Sequence, residues 1–180
     1  MDKEYIAKIK LGIITDTWDM EGQIIEQSRV KKISLEKLSE VVNSFSGSIY
    51  QMPPVFSAKK ISGKPAYYYA RSKKIQKEEI KLKPEIVKIY KIDIISLKED
   101  IFDIKVKCSS GTYIRSLAFE IGRKLGCGAT LAELIRNKIG NYDLKNSIEI
   151  DKLELIALGF DIKKFNNSII PAEDIIIPFS

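Results

Sequence analysis

Apolar and polar residues alternate over residues 5–14, with Ile6, Ile9 and Leu11 among polar neighbours. The pattern predicts a strand ending near Gly12. A turn holding Asp16, Asp19 and Gly22 leads into a short return strand over residues 23–26, which makes a hairpin. Ser34 is a good N-cap for a helix to about Phe45, because Leu35, Leu38, Val41, Val42 and Phe45 recur at helical spacing and Gly47 follows as a stop. Pro53 and Pro54 fix φ and forbid a helix over residues 51–58, so an extended, rigid loop is expected there. A second helix is predicted from Pro65 to about Lys73, with proline in its first turn. Residues 85–96 and 102–108 read as strands joined by a turn at Lys98, Glu99 and Asp100. The clearest helix covers residues 112–124: Ile114, Leu117, Ala118, Ile121 and Leu125 form one apolar stripe, and Gly126 ends it. Residues 131–142 fit helix or strand, and Gly140 and Asn141 tilt the second half towards strand. A last helix is expected over about 149–158, before an apolar tail with two prolines over 169–180.

No internal repeat or low-complexity linker divides the 180 residues, which predicts a single domain over 1–180. A chain of this size buries about 70% of the surface its unfolded form exposes, enough for a real core. With 44% hydrophobic and 30% charged residues, disorder is excluded as the main state. No apolar run reaches the ~18 residues of a membrane helix. The start, Met-Asp-Lys-Glu-Tyr, has no signal-peptide core, so the expected location is cytoplasmic and off the membrane.

Histidine is absent, which removes a Ser-His-Asp triad and a histidine–zinc centre from the possible chemistries. Cys108 and Cys127 make no Cys-x-x-Cys and are expected to be unpaired. The net charge of +6 is unevenly spread: residues 59–91 carry eleven Lys/Arg against three Glu, a local net of +8. Tyr67, Tyr68, Tyr69 and Tyr90 are interleaved with these cations, a composition suited to phosphate contacts and base stacking, or to a solvated lysine-rich face.

Three other motifs fail on their own chemistry. Gly63-Lys64 lacks the earlier glycine of a phosphate loop, and Pro65 stands where Ser or Thr is needed. Residues 17–28 start like a calcium loop, but Thr17 and Ser28 occupy the first and last ligand positions. Gly122, Gly126 and Gly128 follow a helix instead of preceding one, so they make no dinucleotide fingerprint. Trp18 reads as a turn or partner-facing aromatic before a cofactor platform.

Three segments, in order, resemble one family. Gln51-Met-Pro-Pro-Val-Phe-Ser-Ala-Lys59 and Gly63-Lys-Pro-Ala-Tyr-Tyr-Tyr-Ala-Arg71 are similar to the QxPPxYSAxKxxGxxxYxxAR run of TruB-type tRNA pseudouridine synthases. Cys108-Ser-Ser-Gly-Thr-Tyr-Ile-Arg115, continued by Leu125-Gly-Cys-Gly-Ala-Thr-Leu-Ala-Glu-Leu134, resembles that family's CSxGTYIR and LGCGAxLxxL runs. Residues 2–12, with Thr15-Asp-Thr-Trp-Asp19, resemble its KxYxxxxxLGxxTDTxDxxG run. Phe56 replaces a usual tyrosine, Ser72-Lys73 a usual x-Gly, and Glu120 an aspartate. The family's GxLDPxATG motif, which carries the catalytic aspartate, does not occur in these residues.

The resemblance implies an α+β pseudouridine synthase fold, a mixed and largely antiparallel sheet with packed helices, present here in part. It implies isomerisation of the T-arm uridine of tRNA (position 55) by base flipping and aspartate-dependent cleavage of the glycosidic bond, without cofactor or metal. The chain is then expected to be inactive alone, lacking both that aspartate and a C-terminal PUA-like RNA-binding region. The alternative is a non-catalytic tRNA-binding module. Tyr5 matches the tyrosine that stacks on the flipped base, and Arg115 the arginine that holds the catalytic aspartate. Leu134 and Tyr113 match the wall of the uracil pocket, and Lys59 and Arg71 are assigned to RNA-facing surface. A cation in the first turn of a helix opposes the helix dipole, so Arg115 should have an acidic partner; with the family's aspartate missing, it is expected to be unpaired or anion-bound. An edge or apolar face uncovered by the missing segment would allow a homodimer.

Overall fold

In the computed structural model the described residues are 1–61, 63–70 and 82–147. The predicted helix over 149–158, the apolar tail and Arg71 lie outside them. The core is one six-stranded sheet with two helices packed on one face. In chain order its strands are β1 (Lys3–Leu11), β4 (Gly47–Gln51), β7 (Glu85–Lys98), β8 (Ile101–Cys108), β9 (Ala129–Ile139) and β10 (Tyr142–Asp143). They lie side by side as β10-β9-β1-β8-β7-β4, and every pairing is antiparallel. The first strand is therefore interior, between two strands made about a hundred residues later.

Alternation sets the faces. Ala7, Ile9 and Leu11 of β1 pair in register with Ile104 and Phe102 of β8 and with Leu134, Leu131 and Ala129 of β9. Ala7, Ile9, Phe102, Ile104, Val106 and Cys108 are 0% exposed. The intervening positions turn to the other face and carry ion pairs: Lys8 with Glu133 at 2.6 Å, Lys105 with Glu4 at 3.1 Å and Lys10 with Asp100 at 2.5 Å.

Two helices cover the apolar face. α1 (Leu35–Asn43) starts where Ser34 accepts the Lys37 N–H, and buries Leu38, Val41 and Val42. Its C-cap is Ser44; Gly47, expected as the stop, instead opens β4 at φ 96°, a conformation that residues with a side chain rarely adopt. α3 (Ile114–Leu125) begins two residues later than expected and buries Ile114, Leu117, Ala118 and Ile121. Between these helices, β5 (Lys60–Ile61), β6 (Lys64–Pro65) and α2 (Ala66–Ala70) form a small excursion. β2 (Ile13–Thr15) and β3 (Ile24–Gln27) form the expected hairpin after β1.

The ambiguous residues 131–142 are strand. β9 carries register shifts opposite Lys8/Ile9 and Glu4/Tyr5, so Ala132 and Asn137 are extra residues. The bulge at Ala132 puts Leu131 and Leu134 on the same face at a spacing of three, which imitates a helix in the sequence. Both cysteines are buried and unpaired. β4 has no partner on its outer side among the described residues, and beside it Tyr50 and Ile86 form an exposed cross-strand pair, 78% and 66% accessible.

Candidate active site

In the hairpin of β2 and β3, β3 is exposed along its length. The hairpin's turn folds back onto β9: Asp19 bridges to Leu131, the Leu131 N–H donates to the Trp18 carbonyl at 3.1 Å, and the Met20 N–H donates to the Leu131 carbonyl at 3.1 Å. This lays the turn across the N-terminal end of α3, where Arg115 emerges. A cavity of about 270 Å³ opens there, lined by Asp19, Met20, Arg115, Leu131 and Leu134 among others.

Arg115 is not unpaired. Its Nη1 donates to Asp19 Oδ2 at 2.9 Å and to the Thr17 carbonyl at 3.2 Å, and its Nη2 donates to the Phe56 carbonyl at 2.7 Å. The expectation failed because it sought the acidic partner in a missing motif, whereas the turn supplies one 96 residues away in the chain. The Asp19 carboxylate is itself held by the Thr17 hydroxyl at 2.6 Å and the Glu21 N–H at 3.2 Å. A guanidinium has five N–H donors, so these contacts leave two uncommitted among the described residues. On the β9 side the cavity is lined by Leu131, Ala132 and Leu134 together with Glu133, and it faces the Arg115–Asp19 ion pair, so it sets apolar surface beside charge.

The proline-rich loop supports Arg115 from below. The Gln51 side chain donates to the Tyr113 carbonyl at 3.1 Å and accepts from the Tyr113 N–H at 2.7 Å. The Ser116 hydroxyl donates to the Met52 carbonyl at 2.7 Å. These bonds tie the N-cap residue and first turn of α3, which has no side-chain cap of its own, to the loop that brings the Phe56 carbonyl to the guanidinium.

The structure thus brings Arg115 and Leu134 to one cavity. Tyr5 lies on the same sheet face, one step from Ala7, which pairs with Leu134, and directly opposite Arg136. Burial pushes its phenol pKa up, and the nearby Arg136 pulls the other way. Tyr113 is half-buried at the N-cap of α3 and is not among the residues lining the cavity. Lys59 is not among the residues lining it and ion-pairs with Glu85. Asp19 belongs to a turn and to the family's Thr15-Asp-Thr-Trp-Asp19 run, but the sequence does not mark it as the partner of Arg115. A larger groove of about 790 Å³, around Gly12, Lys31 and Asp100, contains none of the expected site residues. Among the described residues no cluster of three or more His, Cys, Asp or Glu is placed to hold a metal, and no helix is long and apolar enough to cross a membrane.

Comparison with known proteins bears on the same segments. The family model for the N-terminal domain of TruB family pseudouridylate synthases matches residues 1–114, and that for the C-terminal domain of tRNA pseudouridylate synthase B matches residues 115–176. The two matches meet at the start of α3, yet their strands share the one sheet. The tRNA pseudouridine synthase B of Clostridium tetani is 44% identical over 171 residues, 95% of this chain and 55% of its own length. That of Francisella philomiragia is 44% identical over 163 residues, 90% of this chain and 52% of its own. The chain spans about half the length of these curated relatives. Among solved structures, a Cbf5-Nop10-Gar1 complex aligns with a TM-score of 0.64 at 24% identity, covering 94% of this chain and 41% of that one. The archaeal box H/ACA sRNP Nop10-Cbf5 complex aligns at 0.58 and 21% identity, covering 93% and 39%. Those likenesses establish the fold, and the sheet, the Arg115 end of α3 and the sequence matches together place the chain in the TruB family of pseudouridylate synthases.

Proposed function

We propose that this chain carries the uridine-binding side of a tRNA pseudouridine synthase acting on the T-arm uridine at position 55. The observation that carries the reading is Arg115, held in place by Asp19 and Phe56 with two donors still uncommitted, at the edge of a cavity walled by Leu131 and Leu134. The target base leaves the stack and enters this cavity, where Leu134 bounds it and Tyr5, on the same sheet face but outside the cavity lining, reaches over to stack on it; Tyr113, which does not line the cavity, would have to turn towards it to join that wall. The reaction needs the aspartate of a Gly-x-Leu-Asp-Pro segment, which these residues do not contain, so turnover requires that segment. The free donors of Arg115 hold its carboxylate ionised and aimed. The N1–C1′ bond breaks, the base turns, a C5–C1′ bond forms, and the hydrogen lost from C5 is replaced by one on N1. No cofactor or metal enters this sequence.

Lys59, Arg71 and the other cations of residues 59–91 are assigned to the tRNA backbone, although the Lys59–Glu85 pair must open for that lysine to bind phosphate. The outer edge of β4, which has no strand beside it among the described residues, is the surface on which a second copy would pair.

Tritium release from tRNA labelled at C5 of uridine tests the reading, with the Gly-x-Leu-Asp-Pro segment supplied in trans. Release only with the segment supports it. Release by the chain alone would transfer the carboxylate role to Asp19. Binding of tRNA with no release in either case favours the non-catalytic module.

A further inference from the structure

Trp18 stands at the position the TDTxD run leaves open, and its backbone is unusual. Its φ is +64°, a left-handed conformation that bulky residues rarely adopt and that glycine or asparagine takes readily. Something must hold a tryptophan there. Its ring stacks on Phe119, centroids 4.5 Å apart and planes 13° from parallel. Phe119 is four residues after Arg115, one turn on along the same face of α3. Trp18 thus grips the face of the helix that presents Arg115. Its own carbonyl accepts the Leu131 N–H at 3.1 Å, its N–H donates to Thr15 at 3.2 Å, and its immediate successor is Asp19.

We infer that Trp18 is a positioning residue, whose stack on Phe119 holds the turn so that Asp19 meets Arg115 and fixes the direction of the guanidinium's free donors. The inference rests on the proposed reaction for its consequence, but not for its geometry. Without the ring, the turn relaxes to another φ, Asp19 loses its aim, and Arg115 swings between its remaining carbonyl partners. The flat ring is the part that matters, so phenylalanine should serve where leucine does not.

The test has two readouts on the full chain. The first needs no activity: the ¹⁵N–¹H signals of the Arg115 guanidinium. In the wild type its Nη protons should be resolved, because Asp19 and Thr17 hinder rotation. Trp18→Leu and Phe119→Leu should collapse them to the averaged signal of a solvated arginine, and Trp18→Phe should keep them resolved. Resolved signals in both leucine variants would overturn the inference, whatever the chain catalyses. The second readout is tritium release with the aspartate segment supplied. Trp18→Leu should lower kcat on the order of tenfold or more with KM nearly unchanged, as expected of a misaimed catalytic group. In an Asp19→Asn background it should lower it no further, and Trp18→Phe should restore the rate in the Asp19 chain. Additive losses, or equal rates for Trp18→Leu and Trp18→Phe, would overturn it. If no variant and no wild type releases tritium, the reaction reading fails while the guanidinium signals still decide the positioning role.

Discussion

Breaking the Arg115–Asp19 pair should destabilise the chain by an amount the structure bounds. Both side chains are 24% exposed, so the pair lies between two measured regimes. Exposed pairs are worth about 0–1 kcal/mol, and breaking a fully buried one costs about 3–5 kcal/mol. A coupling energy of ~1–2 kcal/mol follows. Arg115→Met also removes two hydrogen bonds to carbonyls, at about 1 kcal/mol each, and should cost ~3 kcal/mol in all. Asp19→Asn keeps an oxygen for the Thr17 hydroxyl and the Glu21 N–H, and should cost ~1–2 kcal/mol. The double variant should therefore be less destabilised than the sum of the two by the coupling energy. Urea unfolding followed by far-ultraviolet circular dichroism measures this; with m near 2 kcal/mol/M, Arg115→Met should lower the midpoint by about 1.5 M. Trp18, the single tryptophan, gives a local probe beside the pair, and its transition should coincide with the global one. Strict additivity of the two variants would refute the argument, because the pair would then contribute nothing beyond its separate members.

Other features give sharper qualitative outcomes. Burial alone would raise the Glu4 carboxyl, but hydrogen bonds from Asn137 at 2.6 Å and from Lys105 outweigh it and hold the pKa below its ordinary value of 4.5. A lowered native pKa gives stability that is present above pH 4.5 and lost as pH falls through the native value, so the stability gap between wild type and Glu4→Gln should shrink on acidification below pH 4.5. A gap unchanged from pH 7 down to the acid transition would contradict this. Gly122 of α3 packs against the start of β9, where an added Cβ would lie 2.2 Å from the Ala129 nitrogen. Gly122→Ala should cost ~3 kcal/mol or more by pushing helix from sheet, and a urea midpoint like wild type would reject that packing. Burial pushes the Cys108 and Cys127 thiols up, so neither should react with a disulfide reagent at pH 8 until urea unfolds the chain. Rapid labelling of the native chain would show that one is accessible.

Much of the fold was legible because it is locally simple. Strict alternation in β1 and β8 and the 3.6-residue stripe of α3 each report one buried face, and Ser34 marks a helix start through its own hydroxyl. β9 was not legible, since the bulge at Ala132 gives a strand the spacing of a helix. The same device recurs in β7, where shifts near Tyr90 and Ile95 put Ile89 beside Ile92 and Ile94 beside Leu97 at spacing three. In the site, Leu134 and Arg115 were readable through the family runs, and the need for an acid beside Arg115 followed from the helix dipole. Asp19 as that acid was not, because a contact between residues 96 apart depends on how the hairpin folds onto β9. The signal was the second aspartate of Thr15-Asp-Thr-Trp-Asp19, set in a turn that only tertiary structure could aim.

The interior place of β1 governs how the molecule comes to exist in time. Both neighbours of this strand, β8 and β9, are made only about 100 and 130 residues after it. At about 5–20 residues per second, translation leaves Ala7, Ile9 and Leu11 without β8 for roughly 5–20 s and without β9 for roughly 6–25 s. The β1–β8 and β1–β9 pairings each close a long loop, whereas β7–β8 and β9–β10 are local hairpins, so the capture of β1 is the slow, high-contact-order step. During that interval its apolar face is open to chaperones or to other nascent chains. The sheet is thus completed at β1, between the β7–β8 and β9–β10 hairpins, only after β9 has left the ribosome.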